Sequence, residues 1–421
     1  MSLEYPYNLK ELWENYLYSI KVSIQTPNEL VELQNAQINS AYIEKDYDND
    51  VLPVFLLNVN LQKNVYYDIL KDPTQCRFIV QIDKYIDPGN SGRDKSKRVY
   101  LRDKFVPIIT DRSPFTDEKF YKDVKYNGSK DGRQIIPYDL QQTYDFILFR
   151  EKDLRVMKST TNLVFTNTNV LVALTVVLGN AGVSNLLMTR FDNTSSYSEF
   201  LLPPLPLLPQ IKFLDSYFGF YREGSMVFFD HDRSYILRKA PGCSAWESNE
   251  IKTVAFTIDV PSSGEDLMVG SVLDNKQKTV FVNTNKDHVM FLDKTISTDM
   301  VIGNKSTIFH TVTGGFNSVT PDTTNIAGVT NAPKTTNTQN SYASSELEAR
   351  QSEMRNIVNI ICSGLDISYI QPNKTYKLMT NVQSIVNKVG GVYRLTRAIH
   401  QFVKEGDHFV NLSNMELRRP D

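Results

Sequence analysis

The feature that most constrains this chain is a run near its C-terminal end, residues 369–418, in which side chains alternate at period two. Gly390-Gly391 opens the alternation. Tyr393, Leu395, Arg397 and Ile399 then fall on one face, and Val392, Arg394, Thr396, Ala398, His400 and Phe402 on the other. β-Branched and aromatic residues at that spacing read as a strand. Gly406-Asp407 marks a turn, and residues 409–417 return as a second strand. Upstream, residues 370–378, with Pro372-Asn373, read as a turn followed by a short strand. The expectation is a β-hairpin that closes a small antiparallel barrel or sandwich.

The rest of the chain must supply the other strands. At 421 residues it exceeds one ordinary core, so two to four domains are expected. A hydrophobic share of 41% is enough for folded, globular domains. Forty-six basic residues against 48 acidic ones leave a net charge of −2, so no global field exists to hold a polyanion. Cys76, Cys243 and Cys362 are odd in number and far apart, which excludes a disulfide framework and a metal-type pair, and fits folding in a reducing cytoplasm. Residues 1–10 lack the basic start and apolar core of a signal peptide. No apolar run reaches the roughly 18 residues of a membrane span. Residues 201–208 are the most apolar stretch, and three prolines interrupt it. With 22 Tyr and 22 Phe among many short alternating runs, an all-β or α+β class follows.

Taken in order, Asn8 caps a helix carrying Leu9, Leu12, Trp13, Tyr16 and Leu17. Strands are expected at 18–25, 38–43, 53–59, 77–85, 99–109 (a strand pair) and 144–149, with one helical turn at 65–70. About seven strands in 18–150 suffice for one barrel. The acidic tip at 46–50 resembles a calcium loop but has Val51 where Gly is needed and Leu57 where Glu is needed, so it reads as a solvated hairpin tip. Polar loops span 87–97 and 111–134. From Asp153 the character changes. Val170, Leu171, Leu174, Val177 and Leu178 make a helix capped by Thr168 and stopped by Gly179. A strand follows at 186–191, then a helix after the prolines running to Phe218 and ended by Gly219, then strands at 220–222, 226–230 and 234–237. A strand at 252–261 opens the last part. Residues 311–345, rich in Thr, Asn, Ser and Gly, bury little. Ser344 and Ser345 start a helix, and strands at 357–361 and 367–370 lead back to the hairpin.

Two motifs carry a resemblance. One is the C-terminal order: a Pro372 turn, a short strand, Gly391, Tyr393, Leu395, Ala398 and His400, a turn, and a strand ending at Leu417-Arg418. The other is the helix ending in Leu214-Asp215-Ser216-Tyr217-Phe218-Gly219-Phe220-Tyr221, followed by Phe228-Phe229-Asp230-His231-Asp232 and Ser234-Tyr235-Ile236-Leu237. Together they resemble the contractile-tail baseplate hub family of phage hub proteins, late-control proteins and type VI secretion spike bases. One departure is Asn373, where that family usually has Gly. Asn tolerates a left-handed backbone, so the turn survives.

The resemblance implies a mainly β, α+β chain with two similar antiparallel β-barrels separated by an α+β insert. The divisions are residues 1–152 (helix and first barrel), 153–250 (insert) and 251–421 (second barrel, with an excursion at 262–345). It implies a homotrimer whose six barrels join a hexameric tail tube to a trimeric central spike, a channel for DNA, and no enzymatic turnover. The partners would be further copies of itself, the tail tube protein or tube initiator, the spike and the baseplate wedge proteins. The place would be the virion tail baseplate, after folding in the host cytoplasm. The alternatives are a tail-tip cell-wall hydrolase and a host-receptor-binding β protein.

Chemistry-bearing motifs are sparse. The five histidines, His231, His288, His310, His400 and His408, include no i, i+4 pair and no H-E-x-x-H. Asp230-His231-Asp232 is the densest cluster, placed between two strands where charges face water. His400 reads as a packed or hydrogen-bonded strand residue, and Cys362 as a buried thiol. Gly219 and Gly224 have phosphate-loop spacing, but Ser225-Met226 stand where Lys and a hydroxyl are required. No catalytic, cofactor-binding or metal-ligating residues, and no cofactor, are assigned.

Overall fold

The computed structural model describes residues 16–86, 98–108, 141–221, 224–242, 245–246, 250–259, 271–274, 278–285, 289–293, 309–312, 315–318, 356–380 and 390–419. The first part holds β1 (Tyr16–Gln25), β2 (Leu30–Leu33), β3 (Ile38–Asp46), β4 (Val54–Gln62), α1 (Lys63–Lys71), β5 (Arg77–Ile86), β6 (Arg98–Ile108) and β7 (Gln141–Arg150). Next come α2 (Glu151–Met157), β8 (Thr160–Asn169), α3 (Val170–Asn180), β9 (Leu186–Met188), β10 (Ser196–Pro206), α4 (Leu207–Phe218), β11 (Ser225–Phe229) and β12 (Ser234–Arg238). The last part holds β13 (Thr253–Asp259), β14 (Ser271–Asp274), β15 (Thr279–Asn285), β16 (Val289–Asp293), β17 (Phe309–Val312), β18 (Gly315–Ser318), β19 (Asn356–Ser363), β20 (Thr375–Thr380), β21 (Gly391–Glu405) and β22 (His408–Arg419). The protein is mainly β, with some helices.

Eight strands close an antiparallel barrel in the order β21-β3-β4-β7-β6-β5-β1-β22, with β22 returning to β21. Alternation explains its core. Tyr18, Ile20, Val22 and Ile24 of β1 point inward with Phe78, Val80 and Ile82 of β5. Each such burial contributes about 1.5–3 kcal/mol. Helix α1 packs Val65 and Ile69, four residues apart, into the same core. The barrel therefore takes strands from both ends of the chain. The C-terminal hairpin closes it together with β1 and β3, across the divisions drawn at 152 and 250.

The same hairpin also starts a second run of strands. Its open end continues from β21 through β20, β13 and β15 to β14, and from β22 through β19 to β16. Antiparallel pairing does not hold throughout this run. β13 lies parallel to both β15 and β20. The two ends of the hairpin meet at a bulge in β21, where the register with β22 shifts between Leu395 and Arg397. One extra residue flips the side-chain parity. Tyr393 and Leu395 point into the core of the second run, whereas His400 and Phe402 point into the barrel. The strict two-face alternation read from sequence is thus broken at Thr396.

The insert has its own core. α3 and α4 pack Leu174, Leu178, Ile211, Leu214 and Phe218 against the β8–β10 ribbon and the β11-β12-β9 sheet. Gly219, at φ +75°, ends α4 where the sequence placed the stop. Several boundaries differ from expectation. Asn169 caps α3 instead of Thr168, its Oδ1 accepting from the Val172 amide at 2.9 Å. Gly179 lies inside that helix, and Gly182 takes the left-handed backbone beyond it. Tyr16 and Leu17 begin β1 instead of ending a helix, because they pair across to Ile86 and Tyr85. Residues 65–70 belong to a nine-residue helix, 99–108 to a single strand, and 367–369 to a 3-10 turn capped by Ile370. The expected strand at 220–222 is not one at Phe220 and Tyr221, and the apolar 201–208 stretch is divided between β10 and α4. The expected Asn8 cap, the loops at 87–97 and 111–134 and the helix at Ser344 lie outside the described residues. Of the 311–345 segment, only the β17–β18 hairpin is described.

Candidate functional site

The turn between β11 and β12 carries Asp230-His231-Asp232 to the barrel. The Asp230 amide donates to the Arg233 carbonyl at 2.9 Å, which tightens the turn. Lys45 of β3 shares the inward parity of Ala41 and Ile43, so its ammonium sits inside the barrel wall. It meets Asp230 Oδ2 at 2.5 Å, with the side chains 2% and 1% exposed. Asp230 Oδ1 accepts from the His231 amide and faces His231 Nδ1, both at 2.8 Å. Burial pushes the Asp230 carboxyl up, but Lys45 and then His231 pull harder and hold it well below the ordinary carboxylate range. For Lys45, burial opposes the charge and Asp230 outweighs it, so its pKa rises.

Arg150, at the end of β7, binds Asp153 Oδ2 at 2.7 Å and Oδ1 at 2.5 Å. Its remaining donors reach the carbonyls of Asp230 at 2.7 Å and His231 at 2.5 Å. The ring of Tyr100 meets His231 edge-on at 4.8 Å. A cleft of about 60 Å³ opens beside the turn, lined in part by Lys152, Asp153, Asn185 and Asp232.

Two further knots join the same parts. Asp48, at the β3–β4 tip, takes both Arg394 nitrogens at 2.8 and 2.9 Å, with Lys239 at 3.7 Å. Burial raises its carboxyl, and Arg394 more than reverses the shift. Tyr47 beside it is 1% exposed. The tip is therefore a docking point through Tyr47 and Asp48, while Asn49 and Asp50 remain exposed as a solvated turn. Glu250 accepts from Arg233 at 3.1 Å and from Asn373 Nδ2 at 3.0 Å, and is paired with Lys374. Asn373 is fully buried, gives its carbonyl to Trp246 Nε1 at 2.8 Å, and is not among the residues with positive φ. The physical reason for Asn at this turn is its side-chain amide, not a left-handed backbone.

The sequence-derived candidates thus separate. Asp230-His231-Asp232 is the one group of three metal-capable side chains among the described residues, with ligand atoms within 4.8 Å of one another. Its buried carboxylate is already engaged by Lys45, so the cluster works as an ionic joint between insert and barrel. His400 is buried in the barrel, with Nδ1 2.8 Å from Ser413 Oγ, and burial lowers its pKa to about 3. Cys362 is buried, its thiol pushed up to about 12. The partners Lys45, Arg150 and Arg394 were not foreseen. One signal was available for Lys45: a cation on the apolar side of an alternating strand.

A family described as Bacteriophage PBS1 gene 109 protein matches residues 9–420. No curated protein matches the chain. Among solved structures, the chain is similar to the tail protein from Neisseria meningitidis MC58, at 9% identity and TM-score 0.47, covering 95% of this chain and 97% of that one. It is similar to the 43 kDa tail protein of prophage MuSo2 from Shewanella oneidensis, at 10% identity and TM-score 0.48, covering 95% and 98%. A third is the E. coli c3393 protein, a type VI secretion component described as similar to T4 tail proteins gp27 and gp5, at 6% identity and TM-score 0.41, covering 91% and 74%.

Proposed function

This chain belongs to the Bacteriophage PBS1 gene 109 protein family, and from that premise we propose that it is a structural protein of a contractile phage tail, the baseplate hub. The observation that carries the reading is the β21–β22 hairpin. One half of it closes the eight-strand barrel, and the other half seeds a second run of eight strands. In this reading the second run is the partner barrel. One polypeptide then offers two β units, and three copies offer six. A closed threefold ring of such chains matches a sixfold tube on one side and a threefold spike on the other. Tube protein or its initiator docks on one rim, the spike on the other, wedge proteins on the periphery, and nucleic acid passes through the hole.

The role is positional, without turnover. The buried ion pairs support it: Lys45–Asp230, Arg394–Asp48 and the Glu250 knot tie barrel, insert and second run together, as a joint that transmits force requires. Solution mass measurement followed by electron-microscope classification tests the reading. The expected result is three chains per particle and a ring with a central hole. A chain that stays monomeric both alone and with its tube and spike neighbours overturns it.

A further inference from the structure

The insert's two-stranded ribbon protects one of its edges and leaves the other open. Among the described residues β8 and β10 pair only with each other, so each keeps an outer edge. On β10 that edge is blunted. Pro203, Pro204 and Pro206 lack the N–H that a third strand would need, and the register slips between Leu202 and Leu205. β8 carries no such device. Thr160–Asn169 contains no proline and no ionisable side chain. Asn167, at φ +46°, bends its far end, which leaves residues 160–166 as a regular edge roughly 24 Å long. Every other strand that ends a sheet among the described residues, β10 apart, has three to five residues. The ribbon's faces differ as well. Phe165 points into the insert core, whereas Val164 points out beside its cross-strand partner Leu201, and each is 58% exposed. Thr160, Asn162 and Thr166 are exposed with them, and Glu199, opposite Thr166, is the only acidic or basic residue in the two strands.

Resting on the hub reading, we propose that the free edge of β8 receives an extended segment of a different tail protein, which joins the ribbon as its third strand. An open edge recruits through its main chain, and the side chains beside it choose among strands. The incoming segment is free of proline over this length and sets an aliphatic side chain beside Val164, because a charge placed there is desolvated against Val164 and Leu201 without a partner. A second copy of this chain does not supply the strand. β8 has one open edge, so two copies satisfy each other only as a pair, and a ring of three leaves the third unmatched. The other proline-free edges of the described chain span at most five residues and leave part of 160–166 uncovered.

The test compares the free full-length chain with assembled tails by hydrogen exchange. In the free chain the amides of 160–166 that face away from β10 should exchange fast, and in tails they should slow by about tenfold or more. Thr166→Cys, coupled to a photoreactive maleimide and irradiated in tails, should crosslink to a proline-free stretch of another tail protein. Val164→Lys with Leu201→Lys, both at exposed positions, should leave the thermal unfolding midpoint in place and cancel the added protection. Unchanged exchange in tails that contain the chain, protection that the two lysines do not reduce, or a crosslink to a second copy or to another part of the same chain overturns the proposal and leaves the hub reading standing. A chain absent from tails that electron microscopy shows complete removes both.

Discussion

Replacing Lys45 by Met isolates the joint between insert and barrel. The side chains match in length, so packing changes little and the charge is lost. At 2.5 Å and an effective dielectric near ~20, the Lys45–Asp230 attraction is about 7 kcal/mol. Desolvating both ions offsets much of this, and the group left behind sets the net effect. A buried carboxylate deprived of its cation destabilises a protein by about 3–5 kcal/mol. The Asp230 carboxylate keeps its contacts with the His231 amide and ring, so the lower half of that range is expected. Lys45→Met should shift the urea midpoint accordingly, and Lys45→Met with Asp230→Asn should recover part of the loss, a coupling read from the double-mutant cycle. The linkage has a definite sign. Asp230 is depressed, so its contribution is present above its unfolded value near 4 and is lost only as pH falls through its lower folded value. Lys45 is raised, so its contribution persists until pH climbs past its ordinary value of 10.5. The unmodified-minus-variant difference should therefore stay flat between pH 5 and 9. A cost under about 1 kcal/mol, or a difference that varies across that range, would refute a dry, paired joint.

His400 titrates near 6.5 when unfolded and about 3 when folded, so the unfolded chain binds the proton first and stability falls by up to roughly 1.4 kcal/mol per pH unit below 6.5. Denaturation midpoints at pH 7 and pH 4 should show that slope, and His400→Gln should flatten it. Cys362 should resist iodoacetamide in the native protein at pH 8 and react after unfolding, as peptide mass mapping would show; rapid native labelling would mean the second core opens. Gly219→Ala forces a side chain onto φ +75° and should lower stability by about 1–2 kcal/mol, whereas Gly179→Ala, inside α3 with open space around it, should be neutral or stabilising by calorimetry.

The fold was legible where one residue's neighbours decide its state. The alternation of Tyr18, Ile20, Val22 and Ile24 marked β1, and Phe218-Gly219 marked the end of α4. The joint was not legible, because its members stand far apart in the chain. Lys45 and Asp230 are 185 residues apart, and Asp48 and Arg394 are 346 apart. Asp230, Asp48 and Arg394 each look like an ordinary surface charge, and Lys45 alone stands out, as a cation on the apolar side of its strand. Asp48, in the tip, looked solvated like its exposed neighbours Asn49 and Asp50 for the same reason: nothing nearby announces the arginine that engages it.

The amino-acid order determined that this chain is made mainly of strands, that its last hairpin closes a barrel or a sandwich, and that an insert with two helices interrupts the sheet. Those are consequences of side-chain period and local turn chemistry. Which strands the hairpin closes upon was decided only in three dimensions. The bulge at Thr396 turns one strand's inward face from one core to another, and pairing with β3 and β1 is settled by which apolar faces can be buried together. A strand's sequence states that it has a face to hide but not which distant partner will cover it.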